Sequence, residues 1–183
     1  MIGKMMILQT PAFQHFTQTP KSLTYSRLIV LLVGAAYGGF GILANASFIA
    51  GFESALLRNA LVPLIFILFG LFSVWLTKIG LTVLLWAGAR GFGGPGRISE
   101  ISRSSSIALL PGLLAVPTLT GLWEGWLMIL PLVIGVVWMY FICVKIHITT
   151  QRFAPWKAYL SVFAVFVFFA SIYYMIMPTG ALI

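Results

Sequence analysis

Residues 59–89 read NALVPLIFILFGLFSVWLTKIGLTVLLWAGA, a run in which Lys78 is the only charge. A helix of about 20 mostly apolar residues crosses a ~30 Å hydrocarbon core. As one helix this run would reach about 45 Å at 1.5 Å per residue, so the spacing predicts a membrane span that overshoots the core. Measured from its N-terminal end, Lys78 falls about 28 Å along, at the second interface. There the aliphatic stem can lie on apolar surface while the ammonium reaches the headgroups. The alternative shifts the span by a turn or two and buries Lys78 as a functional charge. The chain has no Asp to pair with it, and its three Glu fall in loops, which favours snorkelling.

Outward from this run, the charges cut the rest of the chain into similar pieces. Leu28 to Phe52 lies uncharged between Arg27 and Glu53, Ser104 to Trp123 and Gly125 to Val144 are divided only by Glu124, and no charge follows Lys157. The reading is an all-α polytopic bundle of five spans, at about 28–52, 59–89, 104–122, 125–144 and 158–178. These form one membrane domain over 28–183, behind a short N-terminal segment, 1–27. Composition agrees: of 183 residues 61% are hydrophobic and 8% charged, with mean hydropathy +1.06. Soluble domains average about 25% charged, and disorder needs the opposite balance. A water-filled barrel would make every second residue polar.

Five crossings put the N-terminus, 90–103 and 145–157 on one side, with Lys4, Lys21, Arg27, Arg90, Arg97, Arg103, Lys145, Arg152 and Lys157. The other side holds Arg58 with Glu53 and Glu124. By the excess of Lys and Arg in cytoplasmic loops, the N-terminus is expected inside and the C-terminus outside. Lys21, Arg27, Arg90, Arg97, Arg103, Lys145, Arg152 and Lys157 are the expected contacts for anionic headgroups or partner chains. The basic balance is thereby explained without nucleic acid. The apolar start, Met5 to Leu8, breaks at Gln9-Thr10-Pro11, too short for a cleavable signal. Phe13 and Phe16 suit a segment that lies on the membrane or docks on another chain.

Within the spans, Gly34 and Gly38 form a small-xxx-small pair that lets helix backbones approach, either inside the bundle or at a dimer seam. Pro111 and Pro131 lie ten residues either side of Gly121. At about 15 Å below that turn they predict paired kinks near mid-membrane, with Pro117 as a further break. Such kinks could line a cavity, or be absorbed by neighbouring helices. The last segment, with Phe163, Phe166, Phe168, Phe169, Tyr173 and Tyr174, is apolar all round, as suits lipid or a partner chain.

Chemistry is sparse. The carboxylates are far apart, no Gly-x-Ser-x-Gly elbow exists, and His15 and His147 fall outside the membrane interior. Cys143 and His147 share a helix face at i,i+4, but two ligands are fewer than zinc needs. His147 as an axial pigment or haem ligand is a weaker alternative to a plain loop histidine. Gly91-x-Gly93 follows a helix and lacks the Gly-Lys-Ser/Thr of a phosphate loop. Residues 98–103, Ile-Ser-Glu-Ile-Ser-Arg, read as a short amphipathic turn on the inner surface. No inverted repeat suggests a stand-alone carrier. No enzyme, cofactor or metal is expected.

The layout from Phe72 to Tyr174 resembles the YIP domain (Ypt-interacting protein) family of five-span membrane proteins. It carries a long second helix ending in Ala89-Arg90-Gly91-Phe92-Gly93-Gly94, a polar run from Arg97 to Ser106, and a third helix opening Ala108-Leu109-Leu110-Pro111. A basic inner loop and a last helix after Trp156-Lys157-Ala158 follow, and Pro20-Lys21 precede the first span. The resemblance implies a bacterial-type member of the cytoplasmic membrane, some of which accompany ABC-type export systems as accessory proteins. The expected role is a non-enzymatic accessory or scaffold subunit acting through lateral helix contacts, with membrane lipids and other integral subunits as partners. The alternatives are a small-solute or lipid transport component gating at Pro111 and Pro131, and a redox or pigment-complex subunit using His147 and Cys143.

Overall fold

The computed structural model describes residues 1–122 and 125–176. It is all-helical, with no strand among the described residues. Two short helices, α1 (Ile2–Met6) and α2 (Thr10–Gln18), precede α3 (Ser22–Ala44). Asn45 stops α3 by donating from Nδ2 to the Gly41 carbonyl at 2.9 Å. A short α4 (Ala46–Ala50) leads to a π-helical turn, Leu57–Leu61, that runs into α5 (Val62–Gly91). Then come α6 (Ile98–Gly112), a 3-10 turn at Leu113–Ala115, α7 (Val116–Leu119), α8 (Ile129–Thr150) and α9 (Pro155–Ile176).

Four helices are long and apolar enough to cross a membrane: Ser22–Ala44, Leu57–Gly91, Ile129–Thr150 and Pro155–Ile172. The expected third span is not among them. Its helix begins at Ile98 rather than Ser104, its first nine residues carry Ser, Glu and Arg, and it breaks at 113–115. The first span also starts earlier than the charge boundary implied, so that Arg27 lies within α3. Residues 57–91 form one run of 35 residues, about 52 Å long. It ends where Gly93, at φ +80°, turns the chain and the Gly94 N–H donates to the Ala89 carbonyl at 2.8 Å.

Glycines set the central packing. A Cβ on Gly34 would lie 2.8 Å from the Leu71 Cα, and one on Gly38 would lie 2.6 Å from the Ile67 Cα. From the other side, a Cβ on Gly70 would meet the Gly34 carbonyl and the Gly38 nitrogen, each at 2.5 Å. α3 and α5 therefore cross antiparallel with backbones touching, and the expected small-residue pair packs inside the bundle. Farther along α5, Gly80 faces Phe169 and Gly88 faces Ser161 and Val165, so α9 also runs antiparallel to α5. The glycine contacts with the two partners are staggered: those with α3 fall at residues 66–71 of α5 and those with α9 at 80–88. α6 meets α8 where a Gly135 Cβ would lie 2.7 Å from the Pro111 carbonyl.

The buried core includes Leu81, Leu85, Ile101, Ile107, Ile142, Ile146 and Val162. The outer faces are as apolar as the core: Leu64, Ile65, Leu68, Phe69, Phe72 and Trp75 on α5 are all more than half exposed. Water would oppose so large an apolar surface, whereas lipid accepts it.

Candidate functional site

The antiparallel order brings the start of α3, the end of α5, the start of α6, the end of α8 and the start of α9 to one end of the bundle. The buried polar side chains collect there: Ser22, Ser26, Thr82, Ser104, Ser105, Ser106, His147, Thr150, Gln151 and Ser161. Each lies within about three helical turns of its helix terminus at that end. The buried residues of the opposite half are apolar or glycine among the described residues. A polar group in an apolar interior costs energy unless bonded, so these hydroxyls turn first to their own helices. Thr82 donates to the Lys78 carbonyl at 2.8 Å and Thr150 to that of Ile146 at 2.7 Å. Across helices, the hydroxyls of Thr82 and Ser105 lie 2.9 Å apart. The hydroxyls of Ser22, Ser26, Ser104 and Ser161 and the Nδ1 of His147 are buried without a partner among the described residues.

Gly96 ties this end together. Its carbonyl accepts from Trp86 Nε1 at 3.1 Å, and its N–H donates to Gln151 Oε1 at 2.9 Å. Gln151 Nε2 in turn donates to the Thr150 hydroxyl at 3.2 Å. The loop after α5 is thus pinned to both α5 and the end of α8. His147, fully buried, donates from Nε2 to the Leu85 carbonyl at 3.1 Å, which leaves Nδ1 as the acceptor nitrogen of the neutral ring. Its ring meets Phe153 edge-on at 5.8 Å. His147 is therefore a core residue of the α5–α8 contact rather than a loop histidine. Cys143, one turn earlier, is also fully buried, and no group of three or more metal-ligating side chains occurs among the described residues.

The N-terminal segment caps the same end. Met5, Phe13 and Phe16 are each 0% exposed, and α1 and α2 pack on α6 and α8. Trp138 Nε1 donates to the Met6 carbonyl at 2.8 Å and Lys145 Nζ to the Thr10 hydroxyl at 3.3 Å. The segment thus docks on its own chain, a possibility beyond membrane surface and foreign partner. Between α2, α6 and the end of α8 it leaves a polar cleft of about 560 Å³, lined by Gln14, Gln18, Arg97, Glu100 and Arg152. Arg97 and Glu100 form an ion pair at 3.0 Å.

The basic residues expected on one side share this end. Lys21, Arg27, Arg90, Arg97 and Arg152 are exposed, and Arg103, Lys145 and Lys157 are half-buried. Lys157 lies over the Trp156 ring at 5.7 Å. Lys78 is half-buried on α5, between this end and the glycine crossing.

The prolines are not matched mid-helix kinks. Pro111 sits inside α6, just before the break at 113–115, and Pro117 starts α7 as its second residue. Pro131 is the third residue of α8, where the N–H it lacks would have no intrahelical acceptor. Glu124 and Trp123 lie outside the described residues. The chain matches no protein-family model, no curated protein and no solved structure.

Proposed function

We propose that the chain is a five-span protein of a bacterial cytoplasmic membrane that serves as an accessory or scaffold subunit, acting through side-to-side helix contacts rather than catalysis. The fifth crossing is the broken α6–α7 run, shielded from lipid by its contacts with α3, α5 and α8. The basic end faces the cytoplasm, in line with the excess of Lys and Arg there, and the C-terminus lies outside. The YIP-like layout accords with this role.

The observation that carries the reading is an apolar groove of about 270 Å³ between α5 and α9, lined by Leu84, Ala87, Gly88, Ala164, Val165 and Phe168. Small residues at its floor admit the backbone of a further helix, the commonest basis of association between spans in lipid. A photoreactive residue placed at Ala87 or Ala164 is expected to trap another integral membrane protein in native membranes. One at Leu43, an exposed position near the far end of α3, is not. Recovery of uncrosslinked monomer alone from both groove positions would overturn the proposal.

A further inference from the structure

A second cavity, of about 380 Å³, opens sideways between α5 and the first turns of α6. α5 contributes Trp75, Lys78, Ile79 and Val83, while α6 contributes Ile98, Ser99 and Ser102. Trp75, Ile79, Val83 and Ile98 are exposed, so the mouth is apolar. Lys78 supplies a cation to the wall, and no carboxylate lines the cavity. Among the described residues the one ion pair is Arg97–Glu100, so Lys78 is not neutralised by the protein. The side-chain hydroxyls of Ser99 and Ser102 have no hydrogen-bond partner among the described residues.

An uncompensated cation in a medium of reduced dielectric raises the energy of the fold, and an anion placed beside it removes that cost. The hydroxyls add neutral donors. The apolar mouth adds a requirement that a free ion does not meet, because those side chains are left bare unless hydrocarbon covers them. Trp is a residue that favours the level where headgroups meet chains.

We propose that this cavity binds the phosphate group of an anionic membrane lipid, with Lys78 as its counter-charge, Ser99 and Ser102 as donors, and Trp75 and Ile79 along the acyl chain. The site requires only that the chain be embedded in a membrane. It is separate from the α5–α9 groove, and failure of the accessory reading leaves it standing.

The test is native mass spectrometry of the delipidated full chain, titrated with phosphatidylglycerol, phosphatidylcholine or inorganic phosphate. Phosphatidylglycerol is expected to bind in preference to phosphatidylcholine. Lys78→Gln should weaken that preference about fivefold or more, the effect of one basic residue at a membrane surface. Lys78→Arg should restore it, and Arg58→Gln, in the π-helical turn ahead of α5, should leave it unchanged. The variants are compared only where gel filtration and melting match the parent chain. Displacement of the lipid by millimolar phosphate would support recognition through the headgroup. Phosphate binding without lipid binding would assign the site to a soluble anion and overturn the lipid as its source. Equal binding of the two lipids, or no change in Lys78→Gln, would overturn the proposal.

Discussion

Gly70→Ala probes the crossing on which the bundle is built. The added Cβ would stand 2.5 Å from the Gly34 carbonyl oxygen and 2.5 Å from the Gly38 nitrogen, both backbone atoms that no rotamer change can move aside. An ordinary contact begins near 3.4 Å, so α3 and α5 must part by about 0.9 Å at this point. A gap of that size forfeits a quarter to a half of each contact worth 0.1–0.2 kcal/mol, and about forty atom pairs along the seam then lose some 2 kcal/mol together. Ala is a better helix former than Gly by up to about 1 kcal/mol, which offsets part of the loss. Gly39→Ala separates the two effects. Its Cβ would meet nothing within 4 Å, so it keeps the propensity gain and pays no steric cost. Equilibrium unfolding in mixed micelles with rising SDS, read by tryptophan fluorescence, should therefore rank Gly39→Ala above Gly70→Ala by about 2 kcal/mol. Coincident transitions for the two variants would refute the interlocked crossing.

Other expectations concern the polar end. Phe16→Ala should cost about 3 kcal/mol and expose α1 and α2 to added protease, since Phe16 is fully buried under the cap; an unchanged cleavage pattern counts against the docked segment. Gln151→Ala removes the acceptor of the Gly96 N–H, and hydrogen exchange at Gly96 should quicken while exchange in the middle of α3 stays as it was. Cys143, fully buried, should resist a membrane-permeant maleimide until the fold is opened with SDS, and rapid labelling of the native protein would contradict the packing of α8.

The long second helix was legible because nothing in residues 59–89 interrupts it except one lysine, and a snorkelling lysine does not end a helix. Charge was a poorer guide to where α3 begins. Ser22 and Ser26 look like linker residues in one dimension, yet both face the interior and are 0% exposed. The third segment misled for a similar reason: its serines at 104–106 belong to a buried helix that starts six residues earlier. Gly34 and Gly38 announced a close approach, but not its partner, because Gly70 has no small residue four places away to mark it. The charges of the polar end were legible, but its buried hydroxyl cluster and docked N-terminal segment were not. These depend on contacts such as Trp138 to Met6, 132 positions apart, and on which face of each helix a hydroxyl occupies.

The stagger of α3 and α9 along the 57–91 run has a mechanical consequence. A rod of about 52 Å in a ~30 Å core would need a tilt of some 55° to stay inside, beyond the 0–40° that spanning helices adopt. It must lean and overhang at once. α3 meets the rod most closely about a third of the way along and α9 toward its end, so the two neighbours grip it at different depths. Any change in the tilt of the rod would therefore move α3 and α9 by different amounts.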